Sequence, residues 1–171
     1  MLHSLVLIAA ATALLFAAAH DVAVRTVPNL VSLIVAIAGL GLNTLDGRLP
    51  QALFGGGLVF AAAWYCWRRG WIGGGDVKLL GACALLVPPA ALPEFMLSTA
   101  IAGGVLALLY LALARVLPGG VGPPRAYPIP RANLVPRIWR AERRRIRRGQ
   151  SLPYSCAITA GVLLTLYVPF G

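Results

Sequence analysis

Two carboxylates stand where ordinary packing does not explain them. Asp76 lies in the stretch WIGGGDVKLL, residues 71–80, directly behind three consecutive glycines, and Asp21 opens DVAVRTVPN, residues 21–29. Glycine destabilises a helix, and a lone acid is unfavourable in or beside a bilayer. Two carboxylates that share one proton can hydrolyse a peptide bond with no cofactor. The ionised one takes a proton from water while the protonated one donates to the carbonyl oxygen. Like charges about 3 Å apart cannot both ionise, so proximity alone splits the two titrations, and the values belong to the pair. Asp76 is expected to be the more easily ionised partner, because a helix begins there and its dipole favours an anion. Asp21 then holds the proton more often. Residues without side chains at 73–75 would let an extended peptide backbone come close. The competing structural readings are a flexible membrane turn for GGGD and a helix-end acid offset by Arg25 for Asp21.

Both acids need elements to hold them, and composition says what kind. Hydrophobic residues make up 59% of the chain, charged residues 12%, and the mean hydropathy is +0.81. That is more apolar surface than a soluble domain of 171 residues can bury, so the chain is read as an all-α integral membrane protein. Six spans are expected: 2–19, 27–45, 49–67, 77–92, 95–114 and 151–171. The first has no basic residue ahead of its apolar run and further spans follow at once, which favours a retained helix over a cleaved signal peptide. Pro28 is placed in the first turn of the second span, where its missing N–H matters least. Gly55, Gly56 and Gly57 in the third either admit a neighbouring helix or are simply tolerated small residues. The fourth is short, which suggests that residues 73–76 lie partly at membrane depth inside protein or a wet cavity.

The formal charge of +10 does not point to nucleic acid, because nine of the fifteen Lys and Arg fall in the single stretch 125–148. That stretch belongs to a polar insert, residues 118–150, whose segment 134–148 sets apolar residues among arginines at roughly helical spacing. It reads as a basic amphipathic helix on an anionic leaflet, or else as a solvated charged loop that fixes orientation. With both termini outside, Arg48 is the only one of the fifteen basic residues left on the outer side, so this orientation is preferred. Asp21 and Asp76 then share the cytoplasmic side, whereas Asp46 and Glu94 lie on the other. Cys66, Cys83 and Cys156 form no CxxC pair, and neither a zinc site nor a disulfide framework is expected. The whole chain, 1–171, is taken as one membrane domain.

Gly73, Gly75 and Asp76 match a GxGD signature, and GGGDVKLLGA resembles the second catalytic motif of bacterial type IV prepilin peptidases. DVAVRTVPN is similar to that family's first motif, and SLPYSCAITAGVL resembles its final span. The resemblance implies an aspartic endopeptidase of the inner membrane that removes the short, positively charged leader of prepilins at the cytoplasmic face. Asp21 and Asp76 carry over as the catalytic pair, with no metal or other cofactor. Arg25, Pro28 and Asn29 would shape the connection holding Asp21, Gly74 completes the glycine run, Lys78 is a motif residue, and Pro153 and Tyr154 would line the same region. Longer family members carry a cysteine-containing N-terminal region and methylate the new pilin N-terminus. This chain is more similar to the short Flp or Tad-type branch, for which that second activity is not expected. The implied partners are a prepilin, anionic lipid and pilus assembly proteins.

Two other readings remain. A presenilin-like protease cutting within the bilayer shares GxGD but predicts a Pro-Ala-Leu type motif near the C-terminus, which is absent. A small transporter or channel could use the same acids as ion sites, and would be expected to show mid-membrane acids or an internal repeat.

Overall fold

The computed structural model describes residues 1–116 and 152–167. Among these residues it has six α-helices and no strand. They are α1 (Leu2–Val24), α2 (Asn29–Leu45), α3 (Leu49–Arg68), α4 (Gly74–Leu86), α5 (Leu92–Val116) and α6 (Tyr154–Tyr167), with a 3-10 turn at Pro89–Ala91. The chain forms two compact units, Met1–Gly104 with Pro153–Gly171, and Val105–Leu152. The first holds α1 to α4, α6 and the opening turns of α5. The described part of the second is the remainder of α5 together with Leu152. Three helical stretches, Leu2–Val24, Leu49–Arg68 and Pro89–Val116, are long and apolar enough to cross a membrane, while α2 and α6 are apolar but shorter.

The middle of the first unit is α4. Eight of its thirteen residues are buried, all between Val77 and Leu86, and over that stretch only Lys78 is exposed. It packs mainly on α2 and α3 and also meets α6. At Gly39 a Cβ would come within 2.5 Å of the Leu85 backbone, so only glycine lets α2 and α4 approach this closely. Just beyond, Asn43 donates from Nδ2 to the Gly39 carbonyl at 2.9 Å and to the Leu85 carbonyl at 2.8 Å. The second bond satisfies one of the carbonyls that the end of a helix leaves without an internal donor.

Helix α1 packs on α2 and α6. Its buried residues are Ala10, Leu14, Ala17 and Asp21, spaced four, three and four apart, which is one stripe along the helix. Along that stripe Thr159 Oγ1 donates to the Leu14 carbonyl at 3.2 Å, and Cys156 Sγ approaches the Ala18 carbonyl at 3.7 Å. The far end of α1 is tied to the α2–α3 turn, where the Asp46 carboxylate accepts from Arg48 and from His3. Those two contacts, Arg48 first, hold the Asp46 carboxyl below its usual range.

Several sequence-based boundaries shift. The expected connection beginning at Asp21 is helical as far as Val24, so Asp21 sits inside the last turns of α1. An acid near a helix end does not stop a helix when its side chain has a partner. Pro28 is the residue before α2, extended at φ −62° and ψ 129°, not a member of its first turn. The expected fourth span 77–92 is a helix from Gly74 to Leu86 followed by the 3-10 turn, because Pro88 and Pro89 break it. The third span agrees with α3 to within one residue. The basic insert 118–150 and its proposed surface helix lie outside the described residues.

Candidate active site

Local backbone chemistry sets the direction of Asp21. Helix α1 ends with Arg25 in the left-handed conformation, φ 63° and ψ 35°, and the Arg25 N–H bonds the Asp21 carbonyl at 2.8 Å. This is the single-bond helix stop that glycine usually makes; here an arginine occupies a region that non-glycine residues enter infrequently. His20 Nδ1–H donates to the Thr26 carbonyl at 2.7 Å, pinning the connection back onto the last turns of α1. The Asp21 side chain continues the buried stripe and is 7% exposed. Its Oδ2 accepts a hydrogen bond from Ser155 Oγ at 2.7 Å, contributed by the first turn of α6.

Asp76 arrives from the other direction. Gly73 is extended, φ −75° and ψ 148°, and its carbonyl accepts from the Asp76 N–H at 3.1 Å and the Val77 N–H at 3.3 Å, starting α4. A Cβ on Gly75 would sit 3.2 Å from Val27 Cβ, so the missing side chain lets the start of α4 lie against the connection that follows Asp21. The glycine expected to leave room for substrate therefore has its space taken by Val27. Its visible effect is to bring the two acidic segments together.

They meet on one cavity of about 310 Å³, lined by Asp21, Arg25, Thr26, Val27, Asn29, Gly73, Gly74, Gly75, Asp76 and Lys78. Asp21 and Asp76 are near enough for their charges to interact. Lys78 Nζ donates to Asn29 Oδ1 at 3.0 Å, joining the first turn of α2 to that of α4 across the mouth. Of the residues expected at the site, Pro28, Pro153 and Tyr154 do not line the cavity. Pro153 is buried and Tyr154 starts α6 beside Gly103, within electrostatic range of Asp76.

Sequence reasoning missed Ser155, Thr26 and Val27. Ser155 was legible in part: it is a hydroxyl two residues after Pro153, at the head of a mostly apolar stretch. What no spacing rule supplied was that this hydroxyl, 134 residues from Asp21, would meet it. Chemically, two carboxylates lining one cavity can share a proton and activate water, with neighbouring donors to orient them.

A model of the type IV leader peptidase family matches residues 8–108, a range that takes in both acids. Neither the curated proteins nor the solved structures give a match.

Proposed function

Because the chain belongs to the type IV leader peptidase family, we propose that it is a membrane aspartic endopeptidase that cuts the leader from Flp-type prepilins. The site of action is the cytoplasmic face of a bacterial inner membrane. The observation that carries this reading is the single cavity lined by both Asp21 and Asp76. In the forward step the ionised carboxylate takes a proton from water as the oxygen attacks the scissile carbonyl, and the protonated carboxylate gives its proton to the carbonyl oxygen. Collapse of the tetrahedral intermediate expels the new amine, which leaves with a proton from the pair. The shared proton belongs to the dyad and not to one residue. Ser155, donating to Oδ2, holds the Asp21 carboxylate in one orientation.

Charge distribution supports six spans with both termini outside, since this leaves only Arg48 of fifteen basic residues on the outer side. In this arrangement the basic insert 118–150 faces the anionic cytoplasmic leaflet or a pilus assembly protein. The test is processing of a co-expressed Flp-type prepilin. Wild type should convert it to the mature form, and Asp21→Asn and Asp76→Asn should each lower conversion by about 10³-fold or more. Retained conversion in either variant contradicts the dyad.

A further inference from the structure

The connection between α1 and α2 carries three residues of the catalytic cavity, Arg25, Thr26 and Val27, and consecutive residues of α1 fix its path. Arg25 is left-handed at φ 63°, a conformation that an L side chain holds only where the surroundings impose it. Two hydrogen bonds bracket it. Its own N–H donates to the Asp21 carbonyl at 2.8 Å, and the carbonyl of the next residue, Thr26, accepts from the His20 ring at 2.7 Å. A carbonyl can only accept, so Nδ1 carries the proton, as it does in one neutral tautomer and in the imidazolium alike. Pro28 has no N–H, so no backbone bond from that residue can close the turn in place of the histidine.

The His20 ring is itself oriented. Phe16, one turn earlier on the same helix face, has its ring centroid 5.9 Å away at an interplanar angle of 39°. Beyond Thr26 comes Val27, which packs against the buried core and stands where a Cβ on Gly75 would come within 3.2 Å of its own. One side chain of α1 thus leads, through one carbonyl, to the contact that seats the first turn of α4, and Asp76 belongs to that turn.

We infer that His20 is a positioning residue for cleavage: by clamping the Thr26 carbonyl it holds Val27 on Gly75 and so sets Asp76 against Asp21. The inference rests on the peptidase reading given above. His20 supplies a hydrogen bond in this scheme, and no proton passes through it.

The experiment uses the full chain in liposomes with a prepilin as substrate. His20→Ala should lower kcat per folded molecule by about fivefold, the scale of one net hydrogen bond, with KM unchanged. Asn sets an amide N–H as many bonds from Cα as Nδ1 is, whereas Gln sets it one bond further out. His20→Asn should therefore restore most of the loss and His20→Gln should not. The clamp and the Val27 contact lie in series, so His20→Ala combined with Val27→Ala should be no slower than the slower single variant. The pH profile of His20→Asn should keep the wild-type shape. A wild-type kcat in His20→Ala, equal rescue by His20→Gln, a multiplicative loss in the double variant or a changed pH profile each overturns the positioning role. A second readout needs no cleavage: in amide hydrogen exchange the Arg25 N–H should exchange about fivefold faster in His20→Ala and at the wild-type rate in His20→Asn. Unchanged exchange in His20→Ala overturns the clamp. Failure of wild type to cut the prepilin would instead remove the peptidase reading, and the exchange rates would still decide whether the clamp exists.

Discussion

Helices α1 and α4 supply one acid each, yet they are built on opposite plans. Helix α1 has 23 residues of which four are buried, so protein fully covers one stripe, while Leu2, Leu5, Ile8, Leu15, Phe16 and Val24 are exposed. Helix α4 has thirteen residues of which eight are buried and only Gly74 and Lys78 are exposed. At about 1.5 Å per residue α4 is about 20 Å long, short of the about 30 Å that a span in contact with lipid needs. A helix wrapped by α2, α3 and α6 is free of that length requirement. Asp76 stands in its first turn, beside the cavity that Asp21 also lines. An acid can thus reach the site as the last member of a buried helix stripe, as at Asp21, or half-buried in the first turn of a short central helix, as at Asp76.

The contrast predicts where the site is fragile. The largest effect is expected where the two plans touch: Gly75→Val places a branched side chain against Val27 and should lower cleavage by about 10²-fold, since small misplacements of reacting groups have effects of that size. Cleavage near the wild-type rate would mean that the approach of α4 to the connection after Asp21 is not what joins the acids. Next comes the support given to Asp21 by α6. Ser155→Ala should lower kcat by about tenfold with KM unchanged, and Ser155→Thr should restore most of it. A matched fall in folded protein, without a change in kcat per folded molecule, would make Ser155 structural only.

A smaller effect is expected at the mouth. Asn29→Ala or Lys78→Met removes one exposed hydrogen bond and should change kcat/KM by about threefold, the scale of a typical net hydrogen bond. A loss as large as that of Ser155→Ala would give Lys78 a direct part in the reaction. The smallest is at the opposite end of α1. Asp46→Asn should leave cleavage unchanged. Because the Asp46 carboxyl is held below its ordinary value, its contribution to folding is present above about pH 4 and fades as pH falls through the lowered value. Thermal melts of wild type and Asp46→Asn should therefore converge at low pH; melts that diverge there would contradict the sign.

The same contrast explains what the sequence could tell. Helices with exposed apolar surface follow the length and hydropathy rules, so α1, α3 and α5 were legible as spans to within a few residues at each end. Helix α4 was legible as a motif and not as the centre of the packing, because nothing in VKLLGACALL says which neighbours surround it. Asp21 read as the start of a connection, since an acid after an apolar run looks like a boundary. The spacing Ala10, Leu14, Ala17, Asp21 could have kept it on the helix. The glycines were legible as close-approach residues, but their partner was not. Gly75 meets Val27, which is forty-eight residues earlier in the chain. Contacts of this range, like that of Ser155 with Asp21, depend on the packing of whole helices and leave no local pattern.

The central claim is that Asp21 and Asp76 act as one catalytic unit. The most direct test is a cycle of cleavage rates for Asp21→Asn, Asp76→Asn and the double variant, with equal amounts of folded, membrane-inserted protein. If the acids share one proton and one water, either single change removes the chemistry, and the double variant should be no slower than the singles, because groups that act as a unit are strongly non-additive. Appreciable cleavage in one single variant, with a further multiplicative loss in the double, would contradict the account.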